Sequence, residues 1–184
     1  MSQDKWKQIS NSFYCAAKEL EKMSRIEHED IIEGDKDKLL FKFQLCHPYI
    51  VNATFAIEAL VKGKLGNAKL ATLRRSGKIH DLKELYDVLD SETKEKILNA
   101  YMNEVGKDHA RTFKYEYREQ IRDEETLNFL RPSFENNLIH IKDYFQKARY
   151  LEPNLPTICG GLVENMLEAF YEVLLFEVNE GEAE

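Results

Sequence analysis

Proline and glycine are scarce, four and eight among 184 residues. That scarcity excludes a collagen-like repeat and the Pro/Gly-rich makeup of a disordered chain. Cysteine is scarcer still: Cys15, Cys46 and Cys159 are odd in number and far apart. They do not form a disulfide framework, and a reducing, cytoplasmic compartment is expected. No apolar run approaches the ~18–20 residues that span a bilayer, so no membrane partner is expected. The opening Met1-Ser2-Gln3-Asp4-Lys5 lacks the apolar stretch of a secretory signal. Positive charge is also in deficit, with 26 Lys+Arg against 33 Asp+Glu and a net charge of −7. That balance speaks against a general nucleic-acid coat and against a polybasic membrane anchor.

Familiar catalytic signatures are missing as well. The chain has no Gly-x-Gly-x-x-Gly, no P-loop, no His-Glu-x-x-His and no Gly-x-Ser-x-Gly. Cys46 and His47 are adjacent, and adjacent helical residues point apart, so they are a poor chelating pair. Glu168 and Glu172 share a helical face but have no Glu-x-x-His partner, so a di-iron bundle has little support. Gly160-Gly161 reads as a turn before a helix. No metal and no cofactor are expected.

What is present is ample apolar residue, 43% of the chain, in one domain-sized length. A chain this long buries roughly 70% of its extended surface without a covalent or metal staple. The expected organisation is a single helical domain over residues 1–184 with a flexible acidic tip at about 178–184. Charge is unevenly spread. Between Ala59 and His80 there is no acid, while Lys62, Lys64, Lys69, Arg74, Arg75 and Lys78 supply six bases. From Tyr150 to Glu184 there is no base and there are eight acids. The tail alone therefore accounts for the net charge, and the rest sums to about +1. The tail reads either as a solvated face or as a counterweight to the basic stretch.

Hydrophobic periodicity is helical nearly throughout. Trp6, Ile9, Phe13, Ala16, Ala17, Leu20 and Met23 predict a first helix within 5–30. His28 to Lys38, with Gly34, predicts a break, and 39–45 the start of the next helix. Pro48 is expected in the first turn of a helix, where its missing N–H is harmless. Ile50, Val51, Phe55, Ile57, Leu60 and Val61 make that helix the most buried of the domain. Residues 67–80 read as a basic connector. Helices are expected from Asp81, from Ser91 with its hydroxyl as cap, past an interruption at Gly106, at 126–130, along Phe134-Leu138-Ile141-Phe145, and over 157–178. Five to seven helices with short connections make an all-α bundle.

Three patches carry a family resemblance. The first is Asn52-Ala53-Thr54-Phe55-Ala56-Ile57-Glu58-Ala59-Leu60-Val61-Lys62. The second is His80-Asp81-Leu82, and the third is Arg149-Tyr150 after Phe145. In this order and spacing the set resembles HEPN (higher-eukaryote and prokaryote nucleotide-binding) domains, over roughly residues 45–152. The resemblance implies a HEPN-like helical bundle, a homodimer, and a toxin–antitoxin or phage-defence setting. Many members are metal-independent ribonucleases whose active motif is Arg, four to six residues, then His. Arg75 and His80 have that spacing. Ser76 follows the arginine, where the family's motif carries Asn, Asp or His, and the pair lies mid-chain rather than at a late helix.

The chemistry of the pair stands without the family. Attack by an RNA 2′-OH needs a base that works near neutral pH, which His80 can be. It also needs fixed positive donors for the phosphorane oxygens, which Arg75 can supply. Arg74, Lys78 and Lys69 are the expected RNA-binding bases around this catalytic pair. The rival reading makes His80-Asp81 a plain helix start and the bases a solvated loop. Glu58 and Lys62 stand four apart on an apolar helix, so a buried Glu58 would need partners. Arg149, or a main-chain group of the 80–81 turn, is expected to serve, in a structural network of Asn52, Glu58, Arg149 and Tyr150. The functional expectation is an RNA-directed HEPN-like protein, an endoribonuclease or its degenerate relative, with no DNA-specific binding. The alternative is a non-catalytic helical interaction module for a protein or nucleotide partner.

Overall fold

A computed structural model describes residues 1–24, 33–112, 134–142, 144, 147 and 160–176. Among these the chain is an all-α bundle of six helices without strands: α1 Gln3–Ser24, α2 Lys36–Arg75, α3 Leu82–Asp87, α4 Ser91–Thr112, α5 at 134–141, and α6 Gly160–Phe176. None of these helices is long and apolar enough to cross a membrane. The stretches at 126–130 and 178–184, with Arg149 and Tyr150, lie outside the described residues.

Helix α2 is the axis of the bundle. Gly34 turns the chain at φ 66°, and the Asp35 carboxylate accepts from the N–H groups of Asp37 and Lys38 at 3.0 and 3.1 Å. That cap satisfies donors with no partner inside the helix. Helix α1 lies along α2, α6 packs on both α2 and α4, and α3 rests on α2. The central turns of α2 are buried as their pattern predicts: Tyr49, Ile50, Ala53, Ala56, Ile57, Ala59, Leu60 and Val61. The alanines let neighbouring helices approach closely. Phe55 is only half-buried and meets Phe13 edge-on, with ring centroids 4.3 Å apart.

Two readings of this region need correction. Pro48 does not open a helix; it sits well inside α2. The bond it cannot make falls on the carbonyl of Gln44, an exposed residue. Residues 67–75 are not connector but helix. Leu70 and Leu73, three apart and both buried, give the segment a face to anchor. The break between the two limbs, 36–65 and 67–75, is instead Gly66, at φ 72° and ψ 167°. Only glycine takes that backbone without strain. The true connector is the short turn at 76–81, where the N–H of Lys78 donates to Leu73 O at 2.9 Å and Gly77 adopts φ 75°.

Asp81 caps α3, accepting from Lys83 and Glu84 N–H at 2.9 and 3.1 Å. The N–H of Leu82 donates to Lys142 O at 2.7 Å, tying this start to the end of α5. The cap of α4 is Asp90, not Ser91: it accepts from Thr93 N–H at 2.8 Å and Thr93 Oγ1 at 2.9 Å. Those two bonds hold its carboxyl below the usual range. Helix α4 runs on through Gly106, and Gly160-Gly161 begin α6 rather than forming a separate turn. Phe134 centres an aromatic core, with ring centroids 4.9 Å from Tyr101 and 5.5 Å from Tyr86. Leu138, Ile141, Met166, Leu167 and Phe170 fill the space around it.

Candidate functional site

The break at Gly66 lets the chain return on itself. An unbroken helix would set residues 58 and 75 about 25 Å apart along its axis. Here the turn at 76–81 brings His80 back to the first limb. His80 Nδ1 lies 2.9 Å from Glu58 Oε1. Lys62 Nζ donates to the same oxygen at 2.6 Å and lies 3.4 Å from His80 Nδ1. Glu58 and Lys62 side chains are 1% and 3% exposed, whereas the His80 side chain is 43% exposed. The cluster is thus a buried ion pair ending in one imidazole at the surface. Nε2 of that ring makes no hydrogen bond among the described residues.

Helix α1 closes the inner side. The Lys62 ammonium lies 5.5 Å from the centroid of the Trp6 ring, a favourable cation–π placement when water is excluded. Gly63 permits this approach: a Cβ there would stand 3.2 Å from Trp6 Cβ. Among the described residues, Trp6 Nε1 is buried without a hydrogen-bond partner.

The other expected site residues are dispersed. Arg75 is the last residue of α2; it and Arg74 are exposed and make no ion pair among the described residues. No hydrogen bond joins Arg75 to His80, although only four residues separate them. Lys78 pairs with Glu84, whose hydrogen bond and charge hold its ammonium above the usual range. Lys69 donates to Val88 O at 2.9 Å, fastening the second limb to the end of α3. Asn52 donates to Pro48 O at 2.7 Å, within its own helix. Glu58 finds its partner at the 80–81 turn as expected, but in the His80 ring rather than the main chain. The i,i+4 partner Lys62 was visible in the spacing; the cover, Trp6, was not. The Glu58–Lys62 spacing carried a signal for the pair; nothing in the pattern linked Trp6 to it.

A second polar cluster joins the two ends of the chain. Tyr14 stacks on Tyr171, with centroids 3.9 Å apart and an interplanar angle of 22°. The Tyr171 hydroxyl lies 2.8 Å from Ser10 Oγ, which donates to Ala56 O at 2.9 Å. Tyr14 donates to Glu168 at 3.1 Å. Lys18 Nζ meets Glu21 at 2.9 Å, Glu168 at 3.0 Å and Glu164 at 3.5 Å. Burial works against the Lys18 charge, and the hydrogen-bonded Glu21 and Glu168 outweigh it, holding the ammonium above its usual range. Burial first, and then the Glu168 charge, push the Tyr14 phenol up to about 12. Part of the acidic C-terminal face is therefore paired with α1 rather than merely solvated.

No family model, curated protein or solved structure matches this chain. The described residues contain no group of three or more His, Cys, Asp and Glu placed to hold a metal ion. Of the two polar clusters, only the first ends in an imidazole, and among the described residues its Nε2 makes no hydrogen bond and the nearby Arg74 and Arg75 make no ion pair.

Proposed function

We propose that the chain is an RNA-directed, HEPN-like protein of the cytoplasm, a homodimeric and metal-independent endoribonuclease acting in a toxin or phage-defence setting. The observation that carries this reading is the half-exposed His80 ring backed by the buried Glu58–Lys62 pair. Burying two charges costs several kcal/mol per ion before their attraction offsets it. In this fold the pair is covered by Trp6 on its inner side and meets the His80 imidazole on its outer side. In the reaction His80 takes the proton of the attacking 2′-OH. Arg75, a guanidinium at the end of α2 with no ion pair among the described residues, stabilises charge on the phosphorane oxygens. Arg74 adds attraction for the backbone. A dimer would let one protomer's arginine serve the other's histidine.

Single-stranded RNA incubated with the protein in EDTA is then cut to 2′,3′-cyclic phosphate ends, and DNA, lacking the 2′-OH, is left intact. His80→Ala and Arg75→Ala each abolish cutting. A parent protein that cuts no RNA, or two variants that cut like the parent, would end this reading. Sedimentation equilibrium at micromolar protein giving 21.6 kDa would end its dimeric form.

A second reading, a non-catalytic helical interaction module, draws on one observation: Leu40 and Phe41 stand side by side near the start of α2, 56% and 53% exposed. Under it His80 only closes the 76–81 turn on Glu58, and His80→Ala lowers stability without touching any activity.

A further inference from the structure

His80 Nδ1 faces two groups, and they make opposite demands. Glu58 Oε1, at 2.9 Å, asks for a proton on Nδ1; Lys62 Nζ, at 3.4 Å, would donate to a bare Nδ1. The carboxylate is closer, and a bare Nδ1 would set a lone pair against an anionic oxygen. Lys62 is already committed to the same Oε1 at 2.6 Å. The charge on Glu58 therefore decides the tautomer. Glu58 is 1% exposed, so its anion is sustained only by a partner cation. Lys62 is that cation, and Trp6 walls it in from α1. A neutral Glu58 would carry an O–H and donate it to Nδ1, moving the ring proton to Nε2.

We infer that Lys62 is a positioning residue. By keeping Glu58 anionic it holds the His80 proton on Nδ1 and leaves Nε2 bare at the surface as the proton acceptor. Its catalytic meaning rests on the endoribonuclease reading; its structural meaning does not. Lys62 touches neither substrate nor reacting atoms, and it acts on the ring through Glu58.

Long-range ¹H–¹⁵N correlation spectra of the full chain read the tautomer directly, with the His80 signals assigned by their loss in His80→Gln. The parent shows Nδ1–H with Nε2 unprotonated in its neutral form. Lys62→Met, and in parallel Lys62→Gln, which keeps a donor but no charge, shift the ring to Nε2–H. Lys62→Arg keeps the parent tautomer. A parent ring with Nε2–H overturns the inference without any variant, as does retention of Nδ1–H in a folded Lys62→Met or Lys62→Gln protein. RNA cleavage is scored separately. If the parent cuts RNA, Lys62→Met lowers kcat by ~100-fold or more with KM little changed, and Lys62→Arg restores most of it. The parent tautomer without any RNA cleavage sinks the endoribonuclease reading and leaves the inference standing. RNA cleavage by a parent ring carrying Nε2–H does the reverse.

Discussion

Lys62 and Lys18 are both lysines facing glutamates across or along a helix, yet they do different work. Lys18 collects three carboxylates and is 26% exposed; Lys62 has one carboxylate and is 3% exposed. The better-connected lysine is the weaker element. Glu164 and Glu168 in the seam between α1 and α6 keep 20% and 26% of their side chains exposed, so solvent screens those pairs, while Glu21 is buried beside them. An i,i+4 Glu–Lys pair on a free helix face contributes only ~0.2–0.5 kcal/mol. Moved into the core, the same spacing becomes a pair in which neither member tolerates loss of the other. Burial, not the number of partners, sets what each lysine is worth.

The contrast can be broken most sharply at Glu58. Glu58→Ala leaves the Lys62 ammonium buried without a carboxylate, and denaturant melts should show a loss of ~3–5 kcal/mol. Replacing both members, Glu58→Leu with Lys62→Met, should recover most of that loss, because a packed apolar pair needs no counter-charge. Strict additivity of the two single losses would show that they do not act as a pair.

Ser10→Ala comes next. It removes the donor to Ala56 O and a partner of the Tyr171 hydroxyl, and should cost ~1–3 kcal/mol in the same melts. An unchanged midpoint would place those groups in contact with water.

The seam can also be read through pH. The folded Tyr14 phenol lies at about 12 against an ordinary 10.0. The raised folded value means that the native state keeps a proton the unfolded chain gives up. The associated stability is fully present below pH 10 and is lost as pH rises toward 12. Ultraviolet titration of the folded protein should place the Tyr14 phenolate near the upper figure, and a tyrosine ionising there at the ordinary value would contradict the packing of Tyr14 against Glu168. The smallest effect is that of Lys18→Met, under ~1 kcal/mol and shrinking further with added salt. The same variant should push Tyr14 higher still, since the Lys18 charge favours the phenolate.

Much of the fold was legible because helical period survives in the sequence. The buried face of α2, the start of α3 at Asp81 and the stripe Phe134-Leu138-Ile141 follow directly from three-and-four spacing. Where local chemistry competes with tertiary packing, the pattern misled. Residues 67–75 carry three bases and only two leucines, which reads as connector until the rest of the core covers Leu70 and Leu73. Pro48 looks like a helix start because its defect is harmless there, yet α2 absorbs the defect at mid-length. Phe55 lies on the apolar face but at its rim, so its burial is partial. Of the site, Glu58 and His80 were each visible, and the need for a partner at the turn followed from Glu58's apolar setting. The approach of the 80–81 turn to Glu58 was one of two expectations, beside Arg149, but the geometry that delivers the His80 ring itself was not visible. It depends on the angle at Gly66, and periodicity relates a residue only to its neighbours one or two turns away.

That angle has a kinetic side. Glu58 and His80 are 22 residues apart in the chain, whereas Ser10 and Tyr171 are 161 apart. By loop-closure entropy the shorter loop closes at ~2 kcal/mol less cost than the longer. The imidazole is therefore brought to its carboxylate within one local hairpin of α2, while the meeting of α1 with α6 must wait for nearly the whole chain. Folding should proceed from the middle outward, with the ring already docked before the two ends find each other.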